Sequence, residues 1–231
     1  PKIHELRQVF RLTPSLKRVA VTINPSANKV VEADAVNSVD AQIRDAEFDK
    51  FEDEVAWVVG EAQRRARAGS PSAVLFHHHM DLKHFYETLF HTRAISLPSE
   101  HPRNLVERYI NMNEKMADAG ISVSYYGNQV GTLKHGERGP HVYLMTIHSS
   151  KGLDFKNVFL PKLNRERDRG SEPLEPFQVK VSYVGVTRTF ENLFLTHLSG
   201  QMEPPFDKLP GDVVSKIYPS RAAVAVEDIF S

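Results

Sequence analysis

Three short apolar runs in the second half of the chain constrain its fold most: HVYLMTI at 141–147, VFL at 158–160 and LFLT at 193–196. Each has the length and composition of a strand buried on both faces, and helix-sized stretches lie between such runs. That pattern belongs to βαβ units and a parallel sheet. A compact polar segment, HSSKGLDF at 148–155, follows the first run, and SYVGVTR at 182–188 precedes the third. Open parallel sheets bind ligands beyond the carboxyl ends of their strands. On that rule His148, Ser149, Ser150, Lys151 and Gly152 sit at a candidate binding edge.

The rest of the chain supplies the other layers. Leu6, Val9, Phe10, Leu16 and Val19 have helix-like spacing, interrupted by Thr13-Pro14-Ser15, where Thr13 can cap a helix that Pro14 opens. Residues 24–40 are small and polar and read as a loop with one short strand. Phe48, Phe51, Val55, Val58, Val59 and Ala62 predict an amphipathic helix over 46–68, ended by Gly69-Ser70-Pro71. A buried strand is expected at 73–76, helices at 81–89 and 103–119, a strand at 121–126, and a turn or hairpin in the glycine-rich 128–139. The Pro-rich tail, 201–231, is expected to pack on the surface. Helices alternating with short strands favour a single doubly wound α/β domain over 1–231, with a mainly parallel sheet and helices on both faces.

Composition removes several function classes. A chain of 231 residues is long enough to bury a sizeable core. Its 29 basic and 29 acidic side chains balance, so net charge gives no argument for nucleic acid, although a local basic groove stays compatible with it. The absence of cysteine removes disulfides, thiolate metal sites and thiol nucleophiles, and it fits a reducing, cytoplasmic setting. No apolar run approaches the roughly 20 residues that span a bilayer. The charged start, PKIHELRQVFR, is unlike a signal peptide. The missing initial Met fits a segment of a longer protein.

The chain has no G-x-x-x-x-G-K-[ST] phosphate loop, no G-x-G-x-x-G stretch opening a helix after a strand, and no G-x-S-x-G elbow. His77, His78, His79 and His84 form the one candidate metal cluster. Adjacent residues on an extended segment point to alternate faces, so the three neighbours cannot easily share one ion, and no metal is expected. HSSKGLDF is better suited to phosphate: hydroxyls, an ammonium and free backbone N–H groups at an expected helix start after the strand. Arg188 adds a guanidinium able to grip a phosphate bidentately.

Taken jointly, TIHSSKGLDF and SYVGVTR resemble motifs V and VI of the superfamily 1 helicases of the UvrD/Rep/PcrA type, whose patterns are roughly T-[IL]-H-x-[AS]-K-G-L-E-F and Y-V-[AG]-[VL]-T-R-A. The separation, about thirty residues, fits as well. Gln8-Val9-Phe10-Arg11-Leu12-Thr13 is similar to motif IV, Q-x-Y-R-S-T, and SAVLFHHHMDLKHF looks like the segment A-V-L-x-R-x-x-x-x-x-x-x-x-E. The resemblance implies a RecA-like, P-loop NTPase-like second motor domain (2A) that lacks the P-loop, with no large insertion (2B) between Tyr126 and motif V. It further implies ATP with Mg²⁺, bound mainly by an N-terminal motor domain of the same protein, and single-stranded DNA as the other partner.

Residue by residue, the resemblance implies that Arg188 and Arg11 contact the γ-phosphate, Arg188 as an arginine finger. Phe10 would stack on adenine in place of Tyr, with Gln8 beside it. Lys151, Gly152 and Asp154 would lie on the nucleotide side, Gly152 allowing close approach and Asp154 standing where the family has a ribose-binding Glu. Thr146, His148, Ser149 and His77 would line the single-strand path. The chain departs from the pattern at His77 (commonly Arg), at Asp154, at Thr189 (commonly Ala) and at EPFQVKVSY, which lacks E-E-R-R-L. Those departures define the rival expectation: a non-catalytic helicase-like module that binds nucleic acid or a protein.

Overall fold

The computed structural model describes residues 8–9, 12–27, 34–35, 39–98, 104–164 and 176–219. Its strands, in chain order, are β1 (Gln8–Val9), β2 (Asp34–Ala35), β3 (Gln42–Phe48), β4 (Ser72–Phe76), β5 (Val123–Tyr125), β6 (Val142–Thr146), β7 (Phe155–Leu160), β8 (Thr189–Leu198) and β9 (Val214–Ile217). The helices are α1 (Pro14–Ile23), α2 (Phe51–Arg65), α3 (His79–Thr92), α4 (Leu105–Asp118), the short α5 (Lys134–Arg138) and α6 (Pro176–Val186). Strands β3 to β9 form one sheet in the order β5-β6-β4-β7-β8-β3-β9, and every pairing in it is parallel. This is the parallel α/β architecture that the buried apolar runs implied, and the RecA-like one that the resemblance implied.

Alternation along the strands divides the core into two layers. Val74 and Phe76 of β4 face Val55, Val58, Phe85, Leu89 and Met112 from α2, α3 and α4. Ala73 and Leu75 face the other side, where Leu16, Val19 and Ile23 of α1 and Val181 and Val186 of α6 pack. Each central strand is covered on both faces, so β4 is buried at all five positions.

Local signals set several helix ends. The Thr13 hydroxyl accepts the Leu16 N–H at 3.5 Å and the Ala41 N–H at 3.1 Å, so it caps α1 and ties it to the start of β3. Asn104 caps α4 by accepting from the Glu107 N–H at 2.9 Å. Gly120, with φ of 70°, lets the chain turn away after α4.

Three expectations need correction. The helix predicted over 46–68 begins only at Phe51, and 42–48 is instead strand β3, between β8 and β9. The charges of QIRDAEF hid this strand; long-range partners hold them, with Asp45 3.0 Å from His197 and Arg44 3.1 Å from Asn192. The helical spacing extended back to Leu6 also fails, since Gln8–Val9 is a strand paired in parallel with Asp34–Ala35. Part of the tail does more than lie on the surface. Val214–Ile217 adds an edge strand to the sheet, and Phe206 is buried.

Candidate functional site

Parallel pairing separates the polar residues of interest onto two edges. Thr146 is level with Phe76 at the carboxyl ends of β6 and β4, whereas Phe155 is level with Thr189 at the amino ends of β7 and β8. Residues 147–154 therefore cross the sheet from one edge to the other. Helix α6 makes the same passage, with Pro176 at the carboxyl edge and Val186 leading to Arg188 at the amino edge.

At the carboxyl edge the crossover opens with a tight turn. The Thr146 hydroxyl accepts the Ser149 N–H at 3.2 Å and lies 3.0 Å from Ser149 Oγ. Ser150 is buried and donates to the Ile147 carbonyl at 2.7 Å. These bonds hold the turn, leaving His148 and Lys151 exposed at its tip. Gly152 has φ of 84°, and a Cβ there would meet nothing within 4 Å. A backbone in that left-handed region calls for glycine whatever space surrounds it.

His77 follows β4 on the same edge, but it turns toward α6. Its Nε2 is 2.8 Å from Ser182 Oγ, which itself donates to the Gln178 carbonyl at 2.9 Å. The serine proton is thus committed, and His77 donates through Nε2 in its neutral form. Burial, reinforced by neighbouring His78, pushes its pKa down to about 4. His77 offers no positive charge to a phosphate near neutral pH. His79 bonds elsewhere, to the Tyr109 hydroxyl at 3.0 Å and to Asn128 at 3.2 Å. Among the described residues no group of three His, Cys, Asp or Glu side chains could hold a metal.

At the amino edge Arg188 is 8% exposed. Its Nε donates to the Val184 carbonyl and its Nη1 to the Leu153 carbonyl, both at 3.2 Å. One guanidinium thus ties the end of α6 to the end of the crossover. Burial lowers its pKa, but not the charge it carries at neutral pH. Asp154 Oδ1 lies 4.0 Å from Nη1. Asp154 also lines a cleft of about 160 Å³ with Leu153, Phe155, Pro71, Leu133, Glu137 and Tyr143. The structure thus brings Arg188 and Asp154 together, and separately gathers Thr146, His148 and Ser149. Phe10 and Arg11 lie outside the described residues; Gln8 falls in β1, where only its backbone is described.

The sequence reading passed over Phe177 on the carboxyl edge. Its ring centre is 6.0 Å from that of His148, and the residue is 64% exposed. The available signal was an aromatic beside Pro176, where the resembled family has charges.

A parallel sheet with polar groups at both edges and no phosphate loop of its own defines an incomplete RecA-like domain. Residues 129–200 match the family of UvrD-like helicase C-terminal domains. A probable DNA helicase II homologue from Rickettsia conorii is 32% identical over 101 residues, 39% of this chain and 14% of that protein. The ATP-dependent DNA helicase PcrA of Staphylococcus aureus is 33% identical over 69 residues, 26% of this chain and 9% of that protein. The matched stretches thus span a small fraction of these relatives. The C-terminal domain of a possible DNA helicase from Lactobacillus plantarum shares the fold, with a TM-score of 0.53 at 12% identity over 90% of this chain and 98% of that one. Over residues 129–200 the chain is similar to UvrD-like helicase C-terminal domains, and its fold is that of a helicase C-terminal domain. Among the described residues no helix is long and apolar enough to cross a membrane.

Proposed function

We propose that this chain is the second motor domain of an ATP-dependent, UvrD-like DNA helicase or translocase, with nucleotide at the amino edge and one DNA strand at the carboxyl edge. The observation that carries the reading is the pair of connectors, 147–154 and α6, that join the two edges and are bonded to each other through Arg188. Helix α6, 11 residues long, spans about 16 Å, so a shift at one end reaches the other as a rigid displacement.

A guanidinium and a carboxylate 4.0 Å apart, the latter lining a cleft, fit the phosphate and ribose of a nucleotide. ATP, when bound, supplies the γ-phosphoryl group whose transfer to water drives the cycle. Arg188 stabilises the charge that develops on that group, aimed from a fixed position by the two carbonyls it now grips. Asp154 accepts from a ribose hydroxyl. Thr146, His148 and Ser149 hold the strand through backbone phosphate and sugar, and Lys151, expected on the nucleotide side, joins them because it is exposed in the same turn at the carboxyl edge. The triphosphate and Mg²⁺ are held mainly by an N-terminal motor domain of the same protein, because this chain has no phosphate loop. Alone, it neither hydrolyses ATP nor unwinds DNA.

The test is Arg188→Ala in the full-length protein. Strand-stimulated ATP turnover is expected to fall on the order of 10³-fold or more while ATP binding persists. Unchanged turnover would remove Arg188 from the chemistry.

A further inference from the structure

The geometry points to Phe177 as a base-stacking platform: we infer that Phe177, braced by His148, stacks on one base of a single strand crossing the carboxyl edge. The assignment rests on the proposed strand path and adds to it a residue that the family pattern does not supply, since EPFQVKVSY replaces E-E-R-R-L there.

Three observations converge. Phe177 extends the buried stripe of α6, Val181 and Gly185, one turn toward the carboxyl edge, where none of the described residues covers a phenyl ring that is 64% exposed. A solvated phenyl group that the core does not use is available to a flat ligand. Second, the His148 ring lies 6.0 Å away, tilted by 32°, and is itself exposed on a turn that internal hydrogen bonds hold firm. The two rings, on separate elements, form a tilted aromatic pair that fixes the Phe177 ring in place and leaves its outer face to solvent. Third, the surroundings suit a polyanion. Lys180 is exposed one helical step from Phe177 on α6, Lys151 is exposed next to His148, and the Thr146 and Ser149 hydroxyls are half-buried alongside. An aromatic face flanked by lysines is the combination that binds single strands with little sequence preference, because every base offers a π-face.

The experiment uses the full-length protein and fluorescence anisotropy of labelled oligo(dT), with an abasic oligonucleotide of equal length as the second probe. Phe177→Ala is expected to weaken oligo(dT) binding about tenfold or more. Phe177→Trp should restore binding, and affinity for the abasic strand should be alike in wild type and Phe177→Ala. Equal oligo(dT) affinity for wild type and Phe177→Ala overturns the assignment, as does an equal loss on the abasic strand. A lowered melting temperature in Phe177→Ala would also overturn it, because the ring would then serve the fold. If wild type binds neither oligonucleotide, the proposed strand path itself fails, and the two failures are told apart.

Discussion

Glu54, in the first turn of α2, is fully buried and is expected to make the stability of this domain depend on pH in an unusual direction. Its Oε1 accepts from the Lys162 N–H at 2.8 Å and from the Thr196 hydroxyl at 2.5 Å, while its Oε2 has no partner among the described residues. Burial raises its pKa above the ordinary 4.5, against the opposing pull of Lys162, Thr196 and His197. The folded state therefore binds more protons than the unfolded state between 4.5 and the raised value. Stability from this group is highest below 4.5 and falls as pH rises through the folded pKa. Glu54→Ala strands the Lys162 N–H and the Thr196 hydroxyl without an acceptor, at about 1–3 kcal/mol each, and leaves a small cavity. A loss of roughly 3–5 kcal/mol follows. Glu54→Gln keeps one acceptor oxygen and removes the titration. Urea unfolding of wild type and both variants between pH 4.5 and 8 measures each effect. The advantage of wild type over Glu54→Gln is expected to shrink as pH rises. A Glu54→Ala loss below about 1 kcal/mol, or a wild-type advantage that grows with pH, would refute the reasoning.

Gly131 has φ of 82°, and a Cβ there would stand 2.5 Å from the Tyr125 carbonyl oxygen, so Gly131→Ala should cost about 2–4 kcal/mol in chemical denaturation. His197 has the same pH sign as Glu54: burial lowers its pKa, but its hydrogen bonds to Asp45 at 3.0 Å and to the Leu198 carbonyl at 2.8 Å outweigh that, and the net shift is upward. That pair stabilises the fold below the ordinary histidine pKa and loses its effect as pH rises through the raised one. Asp45→Asn should lower the His197 titration midpoint seen by NMR and destabilise more at pH 6 than at pH 8.

Central strands were legible in the amino-acid sequence because burial on both faces demands continuous apolar runs. SAVLF, VYLMT and NLFLTH could hardly be anything else once turns bounded them. Strand β3 was not legible, because Arg44 and Asp45 look like solvated charges until β8, about 150 residues away, supplies Asn192 and His197. The edge strand β9 carries only four residues beside a Pro-rich stretch, too short for a periodic signal. The residues of the site were nameable from TIHSSKGLDF and SYVGVTR, and the resemblance set His148 on the strand side and Asp154 with Arg188 on the nucleotide side, but their physical division between opposite edges of the sheet was not legible. That division follows from the direction of the crossover, which only the parallel pairing of β6 and β7 through β4 defines. Neither the Arg188 bonds to Leu153 and Val184 nor the inward turn of His77 has a local signature.

On the proposed function, the nucleotide edge and the strand edge are coupled through α6 and the 147–154 crossover. The most direct measurement is the affinity of the full-length protein for a single strand, with and without a non-hydrolysable ATP analogue, in wild type and in Arg188→Ala. In wild type the analogue is expected to change strand affinity by 5- to 150-fold, the usual range of site-to-site coupling. In Arg188→Ala that dependence should collapse toward one, with each ligand still bound on its own. A variant that keeps the full nucleotide dependence of strand affinity would contradict the coupling route.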